Sequence, residues 1–428
     1  MGKTIERKAY TENIKGFIDK ELIKIITGIR RCGKSEILKL IKEEILKRTN
    51  EEHIVFINFE DVEFDNLLTY KKLYSYIVEK MKDEKKYYLF FDEIQMVEDW
   101  EKAVNSLRLK NTDIYITGSN SKLLSGELAT LLAGRYVQFE IKPLSFKEFV
   151  EFREKLDVGF FGTAPQAKIT KLNQKAAIYD YSPIREYIEM GGFPLISTQH
   201  FDVSQAVQIV KDIHLSIVFK DVVVRNKVKN VALLEKLIAY FYDNVGSPTS
   251  LRNIAEWISG GDKNKIASNL DTLSNYISYL ETAYVIQKVQ PYDISGKQII
   301  LANSKYYLAD HSLSYAIKDI KKVNKGSILE NIVYNELVSR GYKVSFGRMS
   351  ARDNREIDFI AEKNGEKIYV QVCLEFTTEE TYNREFAPLK DIKDNYPKYV
   401  VSLDSYANRN DEGIIGISLN DFLLNEMF

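Results

Sequence analysis

A chain of 428 residues with 45% hydrophobic and 28% charged residues has the composition of an ordinary globular protein, long enough for roughly two to four domains with real cores. A formal net charge of −1 excludes an overall electrostatic pull toward nucleic acid or membranes. Two cysteines in unrelated contexts, Cys32 and Cys373, exclude a disulfide framework and a zinc-finger spacing, and four scattered histidines add no metal-ligand pattern. The opening MGKTIERKAY lacks an apolar core, so no secretory signal is expected there. No apolar run reaches bilayer-spanning length, and the expected compartment is a reduced cytoplasm. Heavy use of Lys, Ile, Asn and Tyr suits a prokaryote with an AT-rich genome.

In chain order, the short apolar strand ELIKIITGI runs into Gly28-Ile-Arg-Arg-Cys-Gly33-Lys34-Ser35, and EILKLIKEEILKR follows with helical spacing. This is the G-x-x-x-x-G-K-[ST] pattern in its strand–loop–helix setting. Its glycines let backbone N–H groups face a phosphate, and the helix N-terminus adds partial positive charge. The candidate nucleotide-binding residues are Gly28, Arg31, Cys32, Gly33, Lys34, Ser35 and Glu36, with ATP and Mg²⁺ as expected cofactors. Lys34 would reach the β- and γ-phosphates, and Ser35 would ligate the metal. Cys32 reads as a small filler or as a redox switch.

A second strand, KKYYLFFDEIQ, ends in Asp92-Glu93. Asp92 would hold Mg²⁺ through water, and Glu93 would act as general base on the attacking water. HIVFINFED, a helix near 66–82, the Asp92 strand, a helix near 99–109 and DIYITGSNS complete a strand–helix alternation. That alternation predicts a parallel sheet with flanking helices and ligand at the C-terminal strand ends. An extra strand between the phosphate-loop strand and the Asp92 strand suits ATPases that activate water with a glutamate. ITGSN would set Ser119 or Asn120 beside the γ-phosphate, or forms a simple turn.

Together GIRRCGKS, LFFDEIQ, ITGSNSKLLSGELATLLAGRYVQFEIKPLSFKEF and GGFP resemble one prokaryotic family. Its members are AAA+-like ATPases, the archaeal ATPase or "AAA family ATPase" group, that end in a domain of unknown function. The resemblance covers nearly the whole chain and is weakest at 153–182. It implies two further nucleotide contacts. Gly191-Gly192-Phe193-Pro194 is similar to a Gly-x-Pro element whose proline packs on adenine, although glycine and proline also punctuate a helix stop. Arg135 is similar to a Gly-Arg motif that reaches a γ-phosphate in cis or from a neighbouring subunit, with Arg225 a poorer candidate.

The four expected segments are 1–150, a P-loop ATPase core; 151–230, a helical linker or lid with the GGFP motif; 231–322, a winged-helix module; and 323–428, a small α/β nuclease-like domain. In the third, LLEKLIAYFYDNV, SLRNIAEWIS and NKIASNLDTLSNYISYLETA read as helices, followed by a hairpin through YVIQKVQPYD and QIILANSKYYLAD. Its third helix offers Lys263, Asn264, Lys265, Ser268, Asn269 and Thr272, polar but hardly basic. A module that senses the ATPase fits better than a DNA reader.

In the last segment, GSILENIVYNELVSRGY precedes three strands, with Asn364-Gly365 marking a hairpin. Helix, then strands carrying Asp and a dyad, follows the order of PD-(D/E)XK nucleases: Glu330, Asp358, then Gln371-Val372-Cys373 in place of Glu-x-Lys. Glutamine is a poor Mg²⁺ ligand beside a carboxylate, and cysteine cannot replace the lysine. Residues 325–428 hold 13 basic and 18 acidic residues, a net of −5 that repels a polyanion. The expected role is docking or assembly. The chain therefore reads as an ATP-driven conformational switch, plausible as a homo-oligomer with an unknown protein client. The alternatives are an ATP-regulated DNA-binding protein or nuclease, and an ATP-binding scaffold with little turnover.

Overall fold

The computed structural model describes residues 5–121, 132–160, 183–296, 298–299, 303–350, 353–376, 378–404 and 410–425. The chain divides into two compact units. One holds residues 1–143 together with Thr282–Tyr284; the other holds 144–281 and 285–428.

The first unit opens with α1 (Lys8–Lys15) and is built on a five-stranded sheet. Its strands are β1 (Ile23–Thr27), β2 (Ile54–Asn58), β3 (Tyr87–Asp92), β4 (Thr112–Gly118) and β5 (Tyr136–Glu140). They lie in the order β2-β3-β4-β1-β5, and every pair is parallel. The expected extra strand is β4, seated between β1 and β3. Near-continuous burial of β1, β3 and β4 accounts for their unbroken apolar runs, since both faces are covered. The connecting helices are α2 (Lys34–Leu46), α3 (Tyr70–Lys80) and α4 (Trp100–Leu107), whose Ile37, Ile41, Leu73, Ile77 and Val104 are buried.

The second unit begins with helices α5 (Phe146–Lys155), α6 (Pro183–Met190), α7 (Pro194–Ser197) and α8 (Val203–Ser216), the last continuing as a π-helix over Ile217–Val224. Three helices follow: α9 (Val231–Asp243), α10 (Leu251–Ser259) and α11 (Lys263–Thr282). The side chains of 263–268, four of the six groove-facing candidates among them, lie outside the described residues. Most of 153–182, where the family resemblance is weakest, does so too.

The strands after α11 form the expected hairpin, and its far half enters a larger sheet. β6 (Ile286–Val289) pairs antiparallel with β9 (Lys305–Leu308). Between them β7 (Pro291–Asp293) and β8 (Gln298–Ile299) join the C-terminal sheet instead. That sheet has eight strands, adding β10 (Lys343–Ser350), β11 (Asp353–Lys363), β12 (Glu366–Cys373), β13 (Lys398–Ser402), β14 (Asn410–Asp411) and β15 (Ile414–Ser418). β7 lies parallel to β10, pairing Phe346 with Pro291 and Arg348 with Asp293, so one sheet crosses the boundary expected at 322/323. The physical reason is an open β10 edge, whose unpaired backbone groups β7 satisfies. Helices α12 (Lys325–Ser339), α13 (Glu379–Lys390) and α14 (Leu419–Leu424) complete this unit. Asn364 and Gly365, both at positive φ, form the expected two-residue turn between β11 and β12.

Within α8, His214 is buried and its Nδ1 lies 3.0 Å from the Tyr242 hydroxyl of α9. Burial pushes its pKa down to about 4. A histidine held neutral by folding contributes stability that is whole above its unfolded value near 6.5 and is lost as pH falls toward 4. The expected loss over that window is up to roughly 3 kcal/mol. Thermal unfolding between pH 7 and pH 4 should show this slope, and His214→Gln should flatten it.

Candidate functional site

The phosphate-loop residues leave β1 at Thr27 and turn on two glycines in the left-handed half of backbone space, Gly28 (φ 142°) and Gly33 (φ 99°). A Cβ on Gly28 would stand 2.1 Å from the Ile141 carbonyl oxygen, so only glycine lets the loop pass β5's continuation. Gly33 is the N-cap of α2 and no side chain caps that helix, a helix start of the kind that suits an anion. Lys34 is buried, and its Nζ donates to the Gly28 and Ile29 carbonyls, both at 3.1 Å. The ammonium is thereby held across the loop. Cys32 is fully buried and burial raises its thiol pKa, which suits a filler and disfavours a reactive thiolate. Arg31, also at positive φ, is exposed, and Glu36 makes an exposed pair with Lys39.

The acidic residues arrive at the same edge. The ladders pair Thr27 with Gly118 and Phe91 with Ile116, which brings the C-terminal ends of β1, β4 and β3 level. Thr117 bridges two of the expected groups: its hydroxyl donates to Asp92 Oδ1 and accepts from the Glu93 backbone N–H at 3.0 Å. Asp92 and Glu93 are 3% and 8% exposed, and Ser119 and Asn120 are buried just beyond β4. Glu93 adopts φ 56°, a strained setting for a non-glycine residue. The sequence reading missed Gln95, whose Nε2 donates to Glu93 Oε2 while its Oε1 is buried without a partner among the described residues. Its position two residues past the carboxylate pair was the only available signal. A glycine-framed loop, a helix start with no side-chain cap, a lysine across the loop and a buried aspartate suit a Mg²⁺–nucleotide, with Ser35 and Asp92 as the metal-side residues.

Arg135 is corrected in one respect. Ile23 pairs with Tyr136 and Thr27 with Glu140, so Arg135 stands at the start of β5, beyond the opposite end of β1. At about 3.3 Å per residue, the five steps from Arg135 to Glu140 put it roughly 17 Å along the sheet from the loop, which removes the cis role. Arg225 pairs with Asp221 at 3.5 Å. Pro194 belongs to the second unit, as the first residue of α7. The preceding glycines have a packing reason there. Gly191 (φ 85°) caps α6, and a Cβ on it would meet Ser312 Oγ at 2.3 Å; Gly192 N–H donates to Asp310 Oδ2 at 2.8 Å.

The nuclease-like positions converge, with an unforeseen occupant. Lys305 of β9 places Nζ 3.1 Å from Glu330 Oε1 and 3.5 Å from Asp358 Oδ1. Gln371 Oε1 accepts from the Asp358 N–H at 3.2 Å, and its Nε2 donates to Glu385 Oε2 at 2.9 Å. A glutamate could not make that second bond. Cys373 is buried, donates to the Glu375 carbonyl at 3.4 Å, and burial pushes its thiol up to about 12. Among the described residues no group of His, Cys, Asp and Glu is arranged to hold a metal ion, and no helix is long and apolar enough to cross a membrane.

Replacing Thr117 by Val should remove both of its bonds and leave the Glu93 N–H unsatisfied, costing about 1–3 kcal/mol. Denaturant unfolding should register that loss for Thr117→Val, with Thr117→Ser closer to wild type.

Residues 20–150 match an AAA domain, 182–324 a domain of unknown function (DUF8612) and 325–422 another (DUF4143). An uncharacterized protein of Haemophilus influenzae is 37% identical over 427 residues, 98% of each chain. An uncharacterized protein of Methanocaldococcus jannaschii is 32% identical over 406 residues, 93% of this chain and 85% of that one. A solved Aeropyrum pernix ORC1 protein in complex with DNA is similar over 79% of this chain and 95% of its own, at 10% identity and TM-score 0.34, too remote for DNA binding to carry over. With a glycine-framed phosphate loop at the head of its parallel sheet, the chain belongs to the same AAA-domain family as the Haemophilus and Methanocaldococcus proteins.

Proposed function

We propose that the chain is a Mg²⁺-dependent ATPase whose turnover repositions its later segments, a nucleotide-driven switch. The observation that carries this reading is that the loop bearing Lys34 and the Asp92–Glu93 strand end leave level C-terminal ends of one parallel sheet, with Thr117 fixing the two acids relative to one another. Bound MgATP supplies the transferable phosphoryl group and a metal charge to steady it. Lys34 sets a positive charge against the phosphates, and the N–H groups at the start of α2 donate hydrogen bonds to their oxygens. Ser35 and Asp92 hold the metal side, and Asn120 senses the terminal phosphate. Glu93 receives a proton from water at its carboxylate, whose orientation the Gln95 amide fixes.

Arg135 in this reading serves a neighbouring copy, which makes a homo-oligomer part of the proposal. The segments after 150 act as docking surface, and an unidentified protein is the client. Location in the cytoplasm belongs to the same proposal.

The test is ATP binding and hydrolysis by wild type, Lys34→Ala and Glu93→Gln, with and without DNA, with particle size followed in each nucleotide state. Glu93→Gln should keep ATP binding and lose roughly 100- to 10,000-fold in turnover, while Lys34→Ala loses binding. Turnover that survives Glu93→Gln unchanged would remove Glu93 as base. Turnover that rises with DNA would favour the DNA-regulated alternative, and tight binding with negligible turnover the scaffold.

A further inference from the structure

The second unit holds a buried ion cluster. Three carboxylates drawn from two elements face one ammonium: Glu330 of α12 at 3.1 Å, Asp358 of β11 at 3.5 Å and Glu356 of β11 at 3.8 Å from Lys305 Nζ. Glu356 and Asp358 share a strand face because side chains repeat every second residue. The Lys305 side chain is 4% exposed. The remaining lone pairs are largely committed. Glu330 Oε1 also accepts from the Tyr307 hydroxyl at 2.6 Å, Asp358 Oδ2 from the Val372 N–H at 2.9 Å, and Glu356 lies 3.6 Å from Arg348. Gly246 backs onto the Glu330 carboxylate so closely that a Cβ there would stand 2.7 Å from Oε2. This backing fixes the carboxylate's position.

Counted formally, three negative charges meet Lys305 and Arg348, one positive charge short of balance. Burial, countered in part by Lys305, raises the Glu330 pKa to about 7, and the Lys305 ammonium is held above its usual value by its acidic neighbours despite its own burial. With Lys305 in place these carboxylates are not arranged to hold a metal ion; without its ammonium, three acids facing one point from two elements would draw a hard divalent cation to supply the missing charge. Here a side chain stands at that point.

We infer that Lys305 is a built-in cation: it occupies the position of a divalent metal among Glu330, Glu356 and Asp358, excludes metal from wild-type protein, and clamps β9 to α12 and β11. The inference is independent of nucleotide hydrolysis. It gives the C-terminal domain a structural centre where a nuclease would need an open, hydrated metal. Removing the ammonium leaves carboxylates facing one another, which lowers stability and at the same time opens a cation site.

The test uses full-length, nucleotide-free protein with Mn²⁺ alone as probe. Lys305→Ala should unfold roughly 10 °C below wild type in the absence of metal. Millimolar Mn²⁺ should recover most of that loss and bind at about one ion per chain by calorimetry, in proportion to the single point of convergence. Wild type should neither shift nor bind. Lys305→Met/Glu330→Gln, which removes the ammonium together with a facing charge, should fold closer to wild type and ignore Mn²⁺. This second variant keeps the test decisive if Lys305→Ala is insoluble. Wild-type Mn²⁺ binding abolished by Asp358→Ala would overturn the inference, as would a Lys305→Ala protein of wild-type stability, or a double variant stabilised by Mn²⁺.

Discussion

Parallel pairing of β1, β4 and β3 is the constraint on which the nucleotide site depends. Parallel strands in register deliver all their C-terminal ends to one edge, so a loop after β1 and acids after β3 meet although some sixty residues separate them. β4 is the working spacer. It separates the loop strand from the acid strand and contributes Thr117, whose single hydroxyl holds the Asp92 carboxylate and the strained Glu93 backbone together. The strain at Glu93 persists because the backbone N–H has this partner. The same geometry denies Arg135 access to its own loop, since a residue that enters a parallel strand is as far from the ligand edge as the strand is long.

Glycine does different jobs at its two motifs. In the phosphate loop, Gly28 makes room for backbone, and its φ and the nearby Ile141 carbonyl both exclude a side chain. In the GGFP motif the space is filled by the acid turn at Asp310, which takes the Gly192 N–H and crowds Gly191. Both are close approaches of protein to protein, one to backbone beside the phosphate loop and the other to side chains of a turn. A short glycine motif alone does not distinguish them.

The cluster around Lys305 shows a comparable substitution of roles at the level of charge. A buried carboxylate group needs a cation, and either a metal or an ammonium from a neighbouring strand meets that need. The ammonium ties β9 to the C-terminal structure, as the β7–β10 pairing ties β7. Gln371 fits the same scheme, since its neutral amide joins the Asp358 backbone to Glu385 where a second carboxylate would repel.

The phosphate loop, the Asp92-Glu93 strand end, the strand–helix alternation and the Asn364-Gly365 turn were legible in the residues themselves. Each rests on local chemistry: φ preference, apolar periodicity, or a functional group set at fixed spacing along one element. Thr117, Gln95 and Lys305 were not legible, because each acts on groups brought to it by packing, and nothing in sequence spacing marks the partner. Arg135 was visible as an arginine that could act in cis or from a neighbouring subunit, and strand direction, which decides the end of the sheet it occupies, removes only the cis option. The hairpin through β7 and β8 was visible as strands, yet only the tertiary fold decided which sheet they join. Backbone ladders form with whichever edge is open, and an open edge is a property of the folded chain rather than of any stretch of it.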